Sequence, residues 1–122
     1  MSLKIITGLR NDFNYKHTQF IEARARYTEI VEFAPRDKDN GELKLSQAEE
    51  KDADYQQDMM ADGKEECKAI YDQVEQYALE IDSAINDATS EGDAKVCKWL
   101  SALADIISDI NAEMEAKSAD FL

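Results

Sequence analysis

An all-α fold, an antiparallel three-helix bundle of long coiled-coil-like helices, is what this sequence predicts, and three observations carry the expectation. Ile6, Phe13, Phe20, Tyr27 and Ala34 recur every seven residues. That step is what an α-helix needs to keep one apolar seam against its neighbours. Later segments, running through Val74 and through Ile107, keep the same rhythm. Helix breakers are scarce, with one proline and four glycines in 122 residues, so long stretches carry nothing that interrupts a helix. The length is one domain's worth of core, and a single domain over residues 1–122 is expected.

The first helix is expected over residues 7–33, starting near Thr7 or Asn11. Its seam is Ile6, Phe13, Phe20 and Tyr27 at one heptad position and Leu9, Lys16, Ala23 and Ile30 at the other. Lys16 interrupts the apolar face, laying its alkyl stem along the core with its charge in water. His17 reads as a flanking residue, since no acid–base partner accompanies it in the sequence. Pro35 closes the helix by pushing the residue before it out of the α region.

The polar stretch from Pro35 to Lys44 reads as a loop. Within it, Asp37-Lys38-Asp39-Asn40-Gly41 resembles the opening of an EF-hand calcium loop between two helices, which would make Asp37 and Asp39 ligands. The pattern departs from that motif at two places. The glycine stands fifth from Asp37 where the motif has it sixth, and the twelfth position is Ala48 where a bidentate glutamate is needed. An ordinary polar turn with no metal is therefore the expectation.

Ser46 followed by Glu49 has the spacing of a capping box, and the second helix is expected over 46–89. Ala53, Met60, Cys67, Val74, Ile81 and Ala88 form its seam, with Ile70, Tyr77 and Ala84 at the complementary position. Glu49 to Asp58 is poor in apolar residues and is expected to project or fray. Gly63 predicts a break or kink, because glycine costs ~1 kcal/mol against alanine inside a helix. Ser90 to Asp93 reads as a turn, with Asp93 placed for the positive end of a third helix over 93–117. That helix carries Val96, Leu100, Leu103, Ile107, Ile110 and Met114, with Phe121 continuing the step. Trp99 and Ile106 widen its stripe to one side. Aromatic residues at helical spacing are usually internal; the sharper alternative is that Trp99 and Ile106, with Tyr71, form a docking patch.

Charge is unevenly placed. The chain carries a net charge of −13, and nearly all of the excess falls between Ser46 and Asp93, where acidic residues far outnumber Lys51, Lys64 and Lys68. Such density repels phosphates, which argues against direct contact with nucleic acid or an anionic membrane. A protein partner with a basic or apolar surface suits it better. No stretch approaches the ~20 apolar residues of a membrane span, and Leu3-Lys4-Ile5-Ile6 is too short for a signal peptide's core. A cytoplasmic protein is the expectation. Cys67 and Cys97, the only cysteines, read as buried thiols in a reducing compartment, and one histidine is too few for a zinc site.

No motif names a reaction. Glycine-rich phosphate loops, a nucleophile elbow and a Glu-x-x-His pair are all missing, so neither an enzyme nor a cofactor is expected. The leading expectation is a non-enzymatic, acidic helical protein that masks a partner's surface in the manner of a chaperone or adaptor. Its anchors would be Trp99, Ile106 and Tyr71. The alternative is an inhibitor that mimics nucleic acid, as a phage-type anti-defence protein would. In that case Asp54, Asp58, Asp62, Glu65, Glu66, Asp72, Glu75, Glu80 and Asp82 would imitate a phosphate track. A third reading is a structural subunit of a helical assembly, with the spare heptad surface closing a homodimer.

Overall fold

Three helices follow one another without an intervening strand among the described residues. The structure is a computed structural model that describes residues 3–36, 41 and 45–121. Helix α1 spans Leu3–Phe33, α2 spans Gln47–Glu91 and α3 spans Ala94–Ser118, with a short 3₁₀ turn at Ala119–Phe121. The calcium-loop expectation on Asp37, Asp39 and their neighbours lies outside the described residues, apart from Gly41. That glycine has a positive φ of 72°, and its carbonyl accepts a hydrogen bond from Arg36 Nη1 at 3.1 Å.

The helix ends have local chemical causes. Ser46 and Glu49 form the expected capping box: the Glu49 amide donates to Ser46 Oγ at 3.1 Å, and the Ser46 amide donates to Glu49 Oε1 at 3.2 Å. Between α2 and α3, Gly92 adopts φ 74°. Its amide donates to the Thr89 carbonyl and the Asp93 amide donates to the Ala88 carbonyl, the paired bonds of a Schellman ending. Asp93 then caps α3, its carboxylate accepting from the Val96 amide at 3.1 Å. One expectation fails at the start of the chain. Helix α1 begins at Leu3, before Thr7, because nothing in Leu3 to Ile6 opposes helix and Ile6 is already needed in the core.

The chain gathers into two compact units, Met1–Asn14 with Cys67–Leu122, and Tyr15–Glu66. The first unit is a three-helix bundle. Its core holds Ile6 and Phe13 from α1, Cys67, Val74, Ile81 and Ala88 from α2, and Leu100, Leu103, Ile107, Ile110 and Met114 from α3. These are the residues the seven-step pattern selects. Val96 is the exception, since it lies exposed near the start of α3. The Cys67 thiol points at the Phe13 carbonyl, 3.7 Å away.

The second unit pairs the later part of α1 with the earlier part of α2. Phe20, Ala23, Ile30, Ala34 and Ala53 are buried there. Its polar matches run antiparallel: Lys16 Nζ to Glu66 at 2.7 Å, Gln57 Nε2 donating to the Tyr27 hydroxyl at 3.0 Å, and Arg26 to Asp52 at 2.9 Å. The Asp52 carboxyl is held below its ordinary pKa, first by a hydrogen bond from Gln56 and then by Arg26. The stretch Glu49 to Asp58 therefore does not fray, because Arg26 and Tyr27 hold it where apolar residues are few.

Gly63 does not break α2 either, which runs unbroken for 45 residues. A Cβ at this position would stand 3.2 Å from the Lys16 carbonyl oxygen and 3.2 Å from Phe20 Cβ. The glycine is there to let α1 approach closely, which is the other reason for glycine in a helix.

The cysteines are not bridged. Cys67 is buried, whereas Cys97 is only partly covered and sits 3.5 Å from Thr89 Oγ1. Cys67 and Thr89 are roughly 33 Å apart along α2 at ~1.5 Å per residue, far beyond the reach of a disulfide.

Candidate functional site

Helix register within the three-helix unit decides what is exposed. Arg10 reaches Glu113 at 3.5 Å, and Lys117 donates to Asn14 Oδ1 across a separation of 103 residues. Both contacts share that offset, so α1 and α3 run parallel with Leu3 opposite Ile106. Trp99, Ile106 and Glu113 follow one another at seven-residue steps on α3. They therefore occupy the stripe of α3 that meets α1. Glu113 finds Arg10 on α1, Ile106 lies level with the first turn of α1, and Trp99 lies about 10 Å further along, at ~1.5 Å per residue.

Trp99 is accordingly 60% exposed and Ile106 38% exposed. The expectation that they are core residues is wrong: along this stripe the described part of α1 reaches only the level of Ile106. Beside them is an open groove of about 170 Å³, lined by Glu80, Ile81 and Ala84 of α2 and Trp99, Leu100 and Leu103 of α3. Ile81, Leu100 and Leu103 form its floor and are themselves buried. Trp99 makes an apolar wall and Glu80 an ionic rim. A concave apolar strip with a few placed polar groups is the usual form of a binding surface.

Tyr71, grouped with Trp99 from the sequence, stands elsewhere. It is partly covered, and burial pushes its hydroxyl above the ordinary tyrosine pKa, assisted by a hydrogen bond to Glu75; a further hydrogen bond ties it to Asn111. Asn111 and Trp99 are separated along α3 by roughly 18 Å. Tyr71 is thus a polar staple between α2 and α3 and does not line the groove.

No protein-family model, curated protein or solved structure matches this chain.

All nine acidic positions singled out on α2 are exposed. In the Tyr15–Glu66 unit these are Asp54, Asp58, Asp62, Glu65 and Glu66, and in the bundle unit Asp72, Glu75, Glu80 and Asp82. Among the described residues, Glu66 is the one of the nine in an ion pair, with Lys16. Glu75 is engaged by Tyr71. Glu80, expected only as one more carboxylate, is the residue the groove uses. Sequence reasoning also missed Ala84 and Leu103 as groove lining, although both had been placed on seams. The missing signal was helix register, which no single-helix periodicity contains. Among the described residues no cluster of His, Cys, Asp and Glu could hold a metal ion, and no helix is long and apolar enough to cross a membrane.

Proposed function

We propose that this chain is a non-enzymatic protein-binding module that masks an apolar surface of another protein, with Trp99 as its anchor. The observation that carries the reading is the half-open stripe of α3. Trp99 walls an open groove floored by Ile81, Leu100 and Leu103, so an apolar partner side chain entering it would cover apolar surface and displace the water there. Aromatic side chains that become desolvated in a formed interface are where most interface energy concentrates. Ile106 extends the same stripe.

A second reading, mimicry of nucleic acid by the carboxylates of α2, is favoured by one separate observation. Asp54, Asp58, Asp62, Glu65, Asp72 and Asp82 are exposed, and no ion pair or hydrogen bond engages their carboxylates among the described residues. A basic groove that normally receives phosphates would meet such a row favourably.

Salt separates the two. Capture on immobilised protein, eluted along a salt gradient, is run with the wild type, Trp99→Ala, and a variant with Asp54, Asp58, Asp62 and Glu65 changed to their amides. Masking requires retention through high salt and loss on Trp99→Ala. Mimicry requires release at moderate salt, because exposed charges are screened beyond ~8 Å at physiological ionic strength, and loss in the amide variant.

A further inference from the structure

The two compact units are closed by different means. The apolar core cluster, from Ile6 and Phe13 through Val74 to Met114, lies wholly in the bundle unit. In the Tyr15–Glu66 unit the buried apolar side chains among the described residues are Phe20, Ala23, Ile30, Ala34 and Ala53, and none of them belongs to that cluster. Three are alanines, so this hairpin of α1 on α2 removes little apolar surface from water for the backbone it orders. Helices of ~20 residues that lose their packing are marginal in water.

What joins the two arms of the hairpin is largely polar and exposed. Arg26 Nε and Nη2 both donate to Asp52 Oδ2, at 3.0 and 2.9 Å. Lys16 meets Glu66, and Gln57 meets the Tyr27 hydroxyl. Three of the four charged groups in these links also have a partner on their own helix. Arg26 has Glu29 at 3.6 Å, Asp52 has Gln56 Nε2 at 3.0 Å, and Lys16 Nζ stands 5.6 Å from the centroid of the Tyr15 ring. Parting the arms therefore orphans none of these three. Exposed pairs that are backed up locally hold two surfaces together without making their release costly.

We propose that the Tyr15–Glu66 hairpin is a strap that opens and recloses as a cooperative unit of its own while the three-helix bundle stays folded, with Arg26 and Asp52 as its clasp. Opening bares Phe20 and Ile30, the two large apolar side chains that the closed strap keeps from water. The strap owes nothing to the Trp99 groove, and the two stand or fall separately.

Hydrogen exchange of the whole 122-residue chain, followed at a series of urea concentrations below the unfolding transition, tests this. Amides of residues 20–30 and 53–62 should exchange together. After correction for intrinsic rates they should do so at least about a hundredfold faster than amides of residues 74–81 and 103–110. Their urea dependence should be shallower, because opening the strap exposes less surface than unfolding the chain. Arg26→Gln should speed the strap amides about threefold and leave the bundle amides as they were. Arg10→Gln, the same charge change on the Arg10–Glu113 pair of the bundle unit, should leave the strap amides unchanged.

A single urea dependence shared by both sets of amides would overturn the proposal, since the chain would then open only all at once. Strap amides that exchange as fast as an unstructured peptide would also overturn it, because no closed strap would exist to be released. The clasp assignment falls if Arg26→Gln leaves the strap amides unchanged, or if Arg10→Gln speeds them equally. The wild-type comparison needs neither variant to fold.

Discussion

Gly63 lies directly against Phe20: a Cβ built on the glycine would stand 3.2 Å from Phe20 Cβ and equally close to the Lys16 carbonyl oxygen. This is the narrowest approach of α1 to α2 in the Tyr15–Glu66 unit for which a glycine is responsible. Gly63→Ala therefore sets two effects against each other. Alanine improves helix propensity by about 1 kcal/mol, but overpacking costs about 1–3 kcal/mol. Neither neighbour is the flexible end of a side chain, since one atom is backbone and the other is bonded to it. We expect the packing cost to win, giving a net loss of about 1 kcal/mol, and a larger loss for Gly63→Leu. Urea unfolding followed by circular dichroism measures it, and a raised midpoint for Gly63→Ala would contradict the close approach.

The turn between α2 and α3 offers a second test. Gly92 holds φ 74°, a region that costs L residues about 1–2 kcal/mol. Gly92→Ala should be destabilising by about 1 kcal/mol. Asp93→Ala, which removes the cap on the Val96 amide, should also cost about 1 kcal/mol, and Asp93→Asn much less because asparagine caps nearly as well. Thermal melts of the three variants rank these expectations.

How much of this was legible beforehand follows from what periodicity can encode. The buried seams were readable residue by residue, because burial repeats along a single helix: Phe13, Val74, Ile81, Ile107 and Met114 all fall where the heptad puts them. The capping box at Ser46 and the turn at Gly92 were readable because their signals are local. Gly63 was misread, since propensity sees glycine's cost within its own helix and not the neighbour that requires it. The exposure of Trp99 was also illegible. It depends on an offset between α1 and α3 that is fixed by pairings such as Lys117 with Asn14, and no pattern within either helix specifies that offset.

The two thiols should differ sharply in reactivity. Cys67 is fully buried beside the Phe13 carbonyl, whereas Cys97 is only partly covered at the end of the bundle. A thiol reagent at neutral pH should modify one equivalent quickly, and Cys97→Ser should abolish that phase. The second equivalent should appear only as fast as the bundle opens, so its rate should rise with urea. Fast modification of both thiols would mean that the core around Phe13 is not closed.

Tyr71 gives the structure a dependence on alkaline pH. Its hydroxyl ionises later in the folded chain than in the unfolded one, because burial disfavours the phenolate and Glu75 adds to that. Between the ordinary tyrosine pKa of ~10 and the raised value, the unfolded chain holds fewer protons than the folded one. The sign follows: this contribution is fully present below pH ~10 and is lost as pH rises through the folded pKa. Tyr71→Phe should flatten that limb of the stability profile and remove the latest-titrating component from the ultraviolet absorbance of tyrosinate. An unchanged alkaline limb would show that Tyr71 is solvated and does not staple α2 to α3.

Stability also decides whether Trp99 belongs to the fold or to a partner. Ile107 is 1% exposed at the centre of the α3 seam, and Ile107→Ala should cost about 2–5 kcal/mol through lost transfer energy and the cavity left behind. Trp99 is larger but stands mostly in water, so Trp99→Ala should cost about 1 kcal/mol or less. The larger side chain should thus matter less to folding, the reverse of what residue size alone would give. Urea unfolding of the two variants, with helicity as the signal, tests this ordering. If Trp99→Ala costs as much as Ile107→Ala, the tryptophan is a core residue, its face is already occupied by this chain, and the groove cannot be a docking site. If the ordering holds, a large aromatic side chain is kept in water at a position where the fold gains little from it, which is what an interface anchor requires.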